Sequence, residues 1–158
     1  IAGFPGETED DFSETLDFAR RVGFAHIHAF PYSARQGTAA ARFGGQVPEV
    51  ERKRRVRALV ELDAKLGAAV RRSFVGGVRP VLWENRDAAP PAEIFRLMDF
   101  PQAAMSTADG YHVWSGLTDN YLRVLAAAPA ELDLHNRITP VRLERPEGEG
   151  LWGAVVTA

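Results

Sequence analysis

Apolar residues recur in different rhythms along the chain, and each rhythm predicts a different element. Phe12, Leu16, Ala19 and Val22 fall on one helical face. Thr8 stands ahead of them as an N-cap, with Asp11 three residues on as a variant capping box. Glu9, Asp10 and Asp11 suit the positive end of the helix dipole, Arg20 and Arg21 sit in the last turn, and Gly23 is a stop. Phe24–Phe30 then reads as a short buried strand ended by Pro31. Ile1 and Ala2, ahead of a tight turn at Gly3, Pro5 and Gly6, read as the end of another strand. Strand, turn, helix and strand make a βαβ unit with parallel neighbours.

Tyr32–Gln46 is a loop of Ser, Gly and small residues. Pro48 opens a long helix to about Ser73, with Val56, Leu59, Val60, Leu66 and Val70 near the helical period. Phe74-Val75-Gly76-Gly77 marks the change of rhythm and a domain boundary, giving domains 1–73 and 74–158. Strands are expected at Val78–Trp83, Tyr121–Leu125, Ile138–Leu143 and Leu151–Thr157, separated by turn formers, which predicts a small barrel or sandwich. Trp83 and Trp114 fit its core. A segment at about 86–111, with Pro90, Pro91, Pro101 and a short helical stretch at Ala92–Met98, reads as an insertion between strands.

Composition narrows the classes. With 158 residues, 46% hydrophobic and 25% charged, the chain resembles average globular protein and excludes bulk disorder, collagen and coiled coil. No apolar run approaches the roughly 20 residues of a membrane span. The net charge of −2 excludes a globally basic nucleic-acid binder but leaves local patches open. From Phe74 onward there are 7 basic and 11 acidic residues, a net of −4, so a purely electrostatic clamp is not expected there. Cysteine is absent, which excludes disulfides and cysteine-held zinc or iron–sulfur clusters within these residues, and is compatible with a cytosolic protein. The chain opens on Ile1 with neither Met nor a signal peptide, inside what reads as a strand. A piece of a longer protein is therefore expected.

Three strings, in order, point to a family. They are Ile1-Ala2-Gly3-Phe4-Pro5-Gly6-Glu7-Thr8, Phe30-Pro31-Tyr32-Ser33-Ala34-Arg35-Gln36-Gly37-Thr38 and Gly116-Leu117-Thr118-Asp119-Asn120-Tyr121-Leu122-Arg123-Val124. Together they resemble the C-terminal part of the radical S-adenosylmethionine methylthiotransferases. The resemblance covers nearly the whole chain except the 86–111 insertion. It implies an α/β fragment from the end of a radical-SAM (β/α) barrel, followed by a small all-β TRAM barrel of OB-like kind that binds RNA. The third string and Asn136–Leu143 are most similar to the branch acting on threonylcarbamoyl-adenosine in tRNA. Sister branches act on isopentenyl-adenosine in tRNA or on a ribosomal protein.

The resemblance implies S-adenosylmethionine and two 4Fe-4S clusters in an intact enzyme. This chain can hold neither cluster and is expected to be inactive alone. It further implies a cytoplasmic enzyme whose partners are a tRNA anticodon arm and its own missing N-terminal part, with no role for DNA or a membrane. By the same resemblance, Ile1, Gly3 and Pro5 lie along the cofactor adenine, and Pro31 and Tyr32 end the next strand on that ligand face. Glycines there let backbone approach a ligand, although Gly-Phe-Pro-Gly is equally a plain turn, and Tyr32 equally an aromatic lid. Gln36 and Ala39 stand where the family usually has proline, so this loop is expected to be less rigid.

Arg35 is suited to phosphate or carboxylate contact, or is a solvated loop residue. Arg52, Lys53, Arg54, Arg55 and Arg57 spread around a helix. Singly each reads as solvated, some pairing with Glu49, Glu51 and Glu61, while Arg52, Arg54 and Arg55 as a group could support an RNA backbone. Thr118, Asn120, Tyr121 and Arg123 form the RNA-facing set, with Tyr121 for stacking. His26 and His28 share a strand face without a third ligand, and Glu7 and Asp11 read as capping residues. The rival readings are a standalone RNA-binding or structural module and a different radical-SAM enzyme.

Overall fold

The helix expected behind Thr8 forms as α1, Glu9–Val22. The Thr8 hydroxyl accepts the Asp11 N–H at 3.1 Å and the Asp11 carboxylate accepts the Thr8 N–H at 2.8 Å, so two orphan donors of the first turn are satisfied reciprocally. Gly23 takes the left-handed conformation and its N–H closes on Ala19. Phe12 and Ala19 are buried, whereas Val22, at the end of the expected face, is exposed. The computed structural model describes residues 1–87 and 110–156, the Asp87 side chain excepted. Its internal contacts divide it into Ile1–Val70 and Arg71–Ala158.

The long helix forms as α2, Glu49–Ser73, after a 3-10 turn at Ala40–Arg42, and its residues through Val70 belong to the first unit. Leu59 and Leu62 are buried, and Leu59 shares a small core with Ala2 and Phe12. Val60, placed by its spacing on the apolar face, is instead 52% exposed. The expected strand at Phe24–Phe30 is also corrected. It runs without a ladder, and Phe24 and Phe30 are exposed. A strand needs a partner backbone as well as apolar residues. Among the described residues that partner is Ala2 alone, in an isolated parallel bridge to Pro31. The orientation of that bridge is the parallel one a βαβ unit requires.

The second unit is a closed five-stranded barrel in the order β1-β2-β3-β5-β4. Its strands are β1 Val78–Asp87, β2 Tyr111–Thr118, β3 Arg123–Pro129, β4 Ile138–Glu147 and β5 Gly150–Val155. All pairings are antiparallel except the two-residue parallel seam of β3 with β5, Val124 opposite Leu151 and Leu125 opposite Trp152. Val81, Trp83, Val124, Ala126, Val141, Leu143 and Leu151 are fully buried, and the Trp83 indole donates to Thr139 Oγ1 at 2.8 Å. Trp114 is buried with them, as a core aromatic should be.

Several strand boundaries differ from expectation; β4 runs on to Glu147 and β5 spans Gly150–Val155. β1 and β2 take up both ends of the segment read as an insertion, and β2 was not anticipated as a strand at all. β3 starts at Arg123, not Tyr121. The short helix expected at Ala92–Met98 lies outside the described residues.

Close backbone approach sets three glycine positions in the barrel. A Cβ built on Gly116 would run into the Leu82 carbonyl oxygen and would sit 2.9 Å from Val81 Cγ1. At Gly150 it would meet the Arg123 oxygen at 2.8 Å, and at Gly153 the Arg142 oxygen at 2.7 Å. Glycine weakens a strand's local signature yet permits the crossing that closes this one.

Two outcomes follow from this packing. Gly116→Val should lower the urea midpoint of the barrel by an amount equivalent to about 1–3 kcal/mol, the usual cost of overpacking. A variant as stable as wild type would show that the strands part without cost. The second concerns acid. Hydrogen bonds from Thr8 hold the Asp11 carboxyl below its ordinary 3.8, while Lys53 for Glu49, and chiefly Arg54 for Glu51, hold those carboxyls below 4.5. A carboxyl lowered in the folded state stabilises above its ordinary value and loses that effect as pH falls through the lowered one. The denaturant midpoint of the helical signal should therefore be level from pH 7 to about pH 5 and decline below about pH 4. A level midpoint down to about pH 2 would contradict the assignment.

Candidate functional site

Two of the three recognised strings meet in space within the first unit. The Ala2 N–H donates to the Phe30 carbonyl at 2.8 Å, and the Tyr32 N–H donates back to Ala2 at 2.8 Å. Ile1 through Gly3 therefore lies beside Phe30 through Tyr32. Gly3, Pro5 and Tyr32 are buried, while Ile1 and Pro31 are exposed. Phe4 stands edge-on to Tyr32 at 5.3 Å and to Phe43 at 6.3 Å. The Tyr32 hydroxyl is buried without a hydrogen-bond partner among the described residues.

Gly3 adopts φ +77°, and a Cβ there would collide with the Arg52 side-chain stem. Its small size is thus used by Arg52, whose Nη1 donates to the Tyr32 carbonyl at 2.5 Å. Arg35 is exposed in the following loop, where its carbonyl accepts from Thr38.

Arg55 departs from the solvated-helix reading. It is only 4% exposed, and its guanidinium lies over the Phe12 ring. It pairs with Glu7 at 2.6 Å, Glu51 at 3.2 Å and Glu9 at 3.4 Å. Burial is the largest influence on Arg55 and works to lower its pKa, but the hydrogen bond and charge of Glu7, then those of Glu51, leave it raised. Glu7, expected to cap the helix, instead accepts from Arg55 and from the Gly3 N–H. Arg54 pairs with Glu51 at 2.5 Å and Glu9 at 2.6 Å, which raises its pKa, and Lys53 pairs with Glu49 at 2.6 Å. The run of positive charge is thus largely paired inside the unit. His26 is exposed and hydrogen-bonded to Asp63 at 2.9 Å, its ring 4.3 Å from that of His28.

In the barrel, the third string builds the loop between β2 and β3. Thr118, expected in the RNA-facing set, is buried. Its hydroxyl accepts the Leu122 N–H at 2.9 Å and lies 2.6 Å from Asn120 Oδ1. The Thr118 N–H donates to Leu122 at 3.0 Å, and the Tyr121 N–H donates to Thr118 at 3.0 Å. Within that frame Tyr121 sits at φ +63° and is 83% exposed. Asn120 and Arg123 are exposed beside it. Arg79 reaches Asp119 at 3.5 Å and Arg123 reaches Glu84 at 3.5 Å, both half-exposed pairs of small energetic weight. The part of Arg79 in this loop had no signal in the sequence, since its partner lies 40 residues on.

No family model matches the chain. Curated relatives align with it almost end to end. Threonylcarbamoyladenosine tRNA methylthiotransferase MtaB of Bacillus subtilis (strain 168) is 31% identical over 159 residues, 99% of this chain and 31% of the relative. tRNA-2-methylthio-N(6)-dimethylallyladenosine synthase of Sorangium cellulosum is 34% identical over 158 residues, 100% of this chain and 29% of the relative. The enzyme of that name from Desulfosudis oleivorans is 35% identical over 147 residues, 93% of this chain and 29% of the relative. The chain therefore spans about three-tenths of the length of the curated relatives it matches.

The loop geometry separates stability from exposure. A non-glycine residue at positive φ carries a cost of about 1 kcal/mol, so Tyr121→Gly should leave the unfolding midpoint unchanged or slightly higher. Thr118→Ala strands the Leu122 amide and should cost about 1–3 kcal/mol. Calorimetry of the two variants checks both, and a larger loss for Tyr121→Gly would reverse the assignment.

Proposed function

We propose that this chain, which is homologous to the tRNA methylthiotransferases, is the cofactor-facing and RNA-facing portion of an enzyme that adds a methylthio group to carbon 2 of the modified adenosine next to the anticodon. The single observation that carries this reading is alignment of the full chain, both units included, with such enzymes. The threonylcarbamoyl-adenosine substrate is preferred on the strength of the Gly116–Val124 and Asn136–Leu143 strings. On this reading the first unit is the end of a radical-SAM barrel and the second is a TRAM domain.

The chain's own residues would contribute positioning and binding. The buried Tyr32 hydroxyl, without a partner among the described residues, and the left-handed Gly3 beside it fit a polar, flat ligand such as the adenine of S-adenosylmethionine. That cofactor supplies the methyl group and the reactive fragment when bound. The chain holds no cysteine, so no iron–sulfur cluster fits it, and no step through a cluster is assigned to these residues. In the barrel, Tyr121 offers an unobstructed ring for base stacking, Asn120 a hydrogen-bonding edge, and Arg123 a charge for phosphate. The net of −4 from Phe74 onward keeps this contact local rather than electrostatic at long range. Arg35 can add a phosphate contact, whereas Arg52, Arg54 and Arg55 are better occupied within their own unit.

Fluorescence anisotropy with a tRNA anticodon-arm oligonucleotide tests the RNA role. Wild type should bind with an affinity that falls as salt rises. The Tyr121→Ala, Arg123→Ala double variant should bind at least about tenfold more weakly, with a salt slope shallower by about 1. Equal binding by wild type and variant, or binding indifferent to salt, would remove RNA recognition from this loop.

A further inference from the structure

Glycine at φ +77° meets no steric penalty there, but neither is it confined there, because glycine visits both signs of φ readily. Something other than its own sterics must therefore select the conformation of Gly3. Glu7 does so. Its Oε2 accepts the Gly3 N–H and at the same time the Arg55 Nη1 at 2.6 Å. That same Nη1 donates to the Glu7 carbonyl at 3.0 Å, so one buried guanidinium nitrogen fixes both the main chain and the side chain of Glu7. From the other side the Arg52 stem leaves no room for a Cβ on Gly3. Arg52 and Arg55, three residues apart, share a face of α2. The turn is closed by the Gly6 N–H on Gly45 at 2.8 Å and by the Glu7 N–H on Phe4 at 2.9 Å.

We infer that Glu7 is a positioning residue of the ligand-facing turn, its carboxylate holding the Gly3 amide in place while buried Arg55 holds the carboxylate. The inference rests on the reading of Gly3 and Tyr32 as part of a cofactor wall. Charge-assisted bonds to both partners make the turn stiff before a ligand arrives, and a preformed backbone binds more tightly because less ordering remains to be done. Glu7 does not touch the ligand in this scheme. It acts through Gly3.

The test compares this chain with two variants by NMR. Glu7→Gln keeps an acceptor oxygen but loses the charge. Glu7→Met with Arg55→Met removes the pair without stranding a buried charge, a replacement that cores commonly tolerate. In wild type the Gly3 amide should be protected from hydrogen exchange, and S-adenosylmethionine should shift the amides of Ile1–Gly6 (prolines apart). In the Met/Met variant, with helical circular dichroism retained, Gly3 exchange should quicken and S-adenosylmethionine affinity should fall, each by about tenfold, the worth of one charged hydrogen bond. Glu7→Gln should fall between, and it decides the matter if the Met/Met variant loses its helices. Unchanged Gly3 protection, or unchanged affinity despite a freed Gly3, would overturn the role of Glu7. No shift at Ile1–Gly6 in wild type would instead overturn the cofactor reading, and the exchange comparison would still decide whether Glu7 holds the turn.

Discussion

A buried positive charge organises the first unit. Arg55 is out of water, and such a charge persists only where acceptors surround it. Glu7, Glu9 and Glu51 do so from three directions, and Glu7 and Glu9 come from the segment just ahead of and inside the first turn of α1. The requirement to satisfy one guanidinium therefore fixes where that segment sits on α2. The Phe12 ring lies under the same group, so the polar knot and the small core of Ala2, Phe12 and Leu59 constrain each other. Removing one member of such a pair usually costs about 3–5 kcal/mol, more than this unit's modest core could absorb easily.

The barrel meets a different constraint. It closes on a seam only two residue pairs long, and closure brings backbones nearer than side chains normally allow. Gly116, Gly150 and Gly153 stand at those approaches, and bulges near Glu84 and Glu144 adjust the register on β1 and β4. Large residues fill the interior between them, Trp83 foremost. The loop that follows β2 inherits its rigidity from this frame, since Thr118 is both the last residue of the strand and the anchor of the turn.

Local chemistry was legible and remote pairing was not. Thr8, Asp11 and Gly23 announce α1 because caps act within one helical turn. The spacing after Pro48 announces α2 for the same reason. β2 carries no strand signature because Val113, Trp114, Ser115 and Gly116 are all buried, so the alternation that marks a half-exposed strand is missing. Phe24–Phe30 misled in the opposite sense, its apolar residues having no ladder to join. Within the run from Arg52 to Arg57 nothing separates the buried arginine from its solvated neighbours. That distinction depends on Glu7, 48 residues away. At the candidate loop, Asn120, Tyr121 and Arg123 were found as exposed residues, while Thr118, drawn from the same string, turned out to hold the turn.

Tyr121 has one further consequence. Its backbone is already committed to a rare conformation by Thr118 and Leu122, so little main-chain freedom remains to be surrendered when a partner meets the ring. Entropy lost in folding is not lost again on encounter. On the proposed RNA-binding reading, arrival at this loop depends mainly on diffusion and local charge, and substitutions of the ring should register as shorter residence times rather than as slower capture.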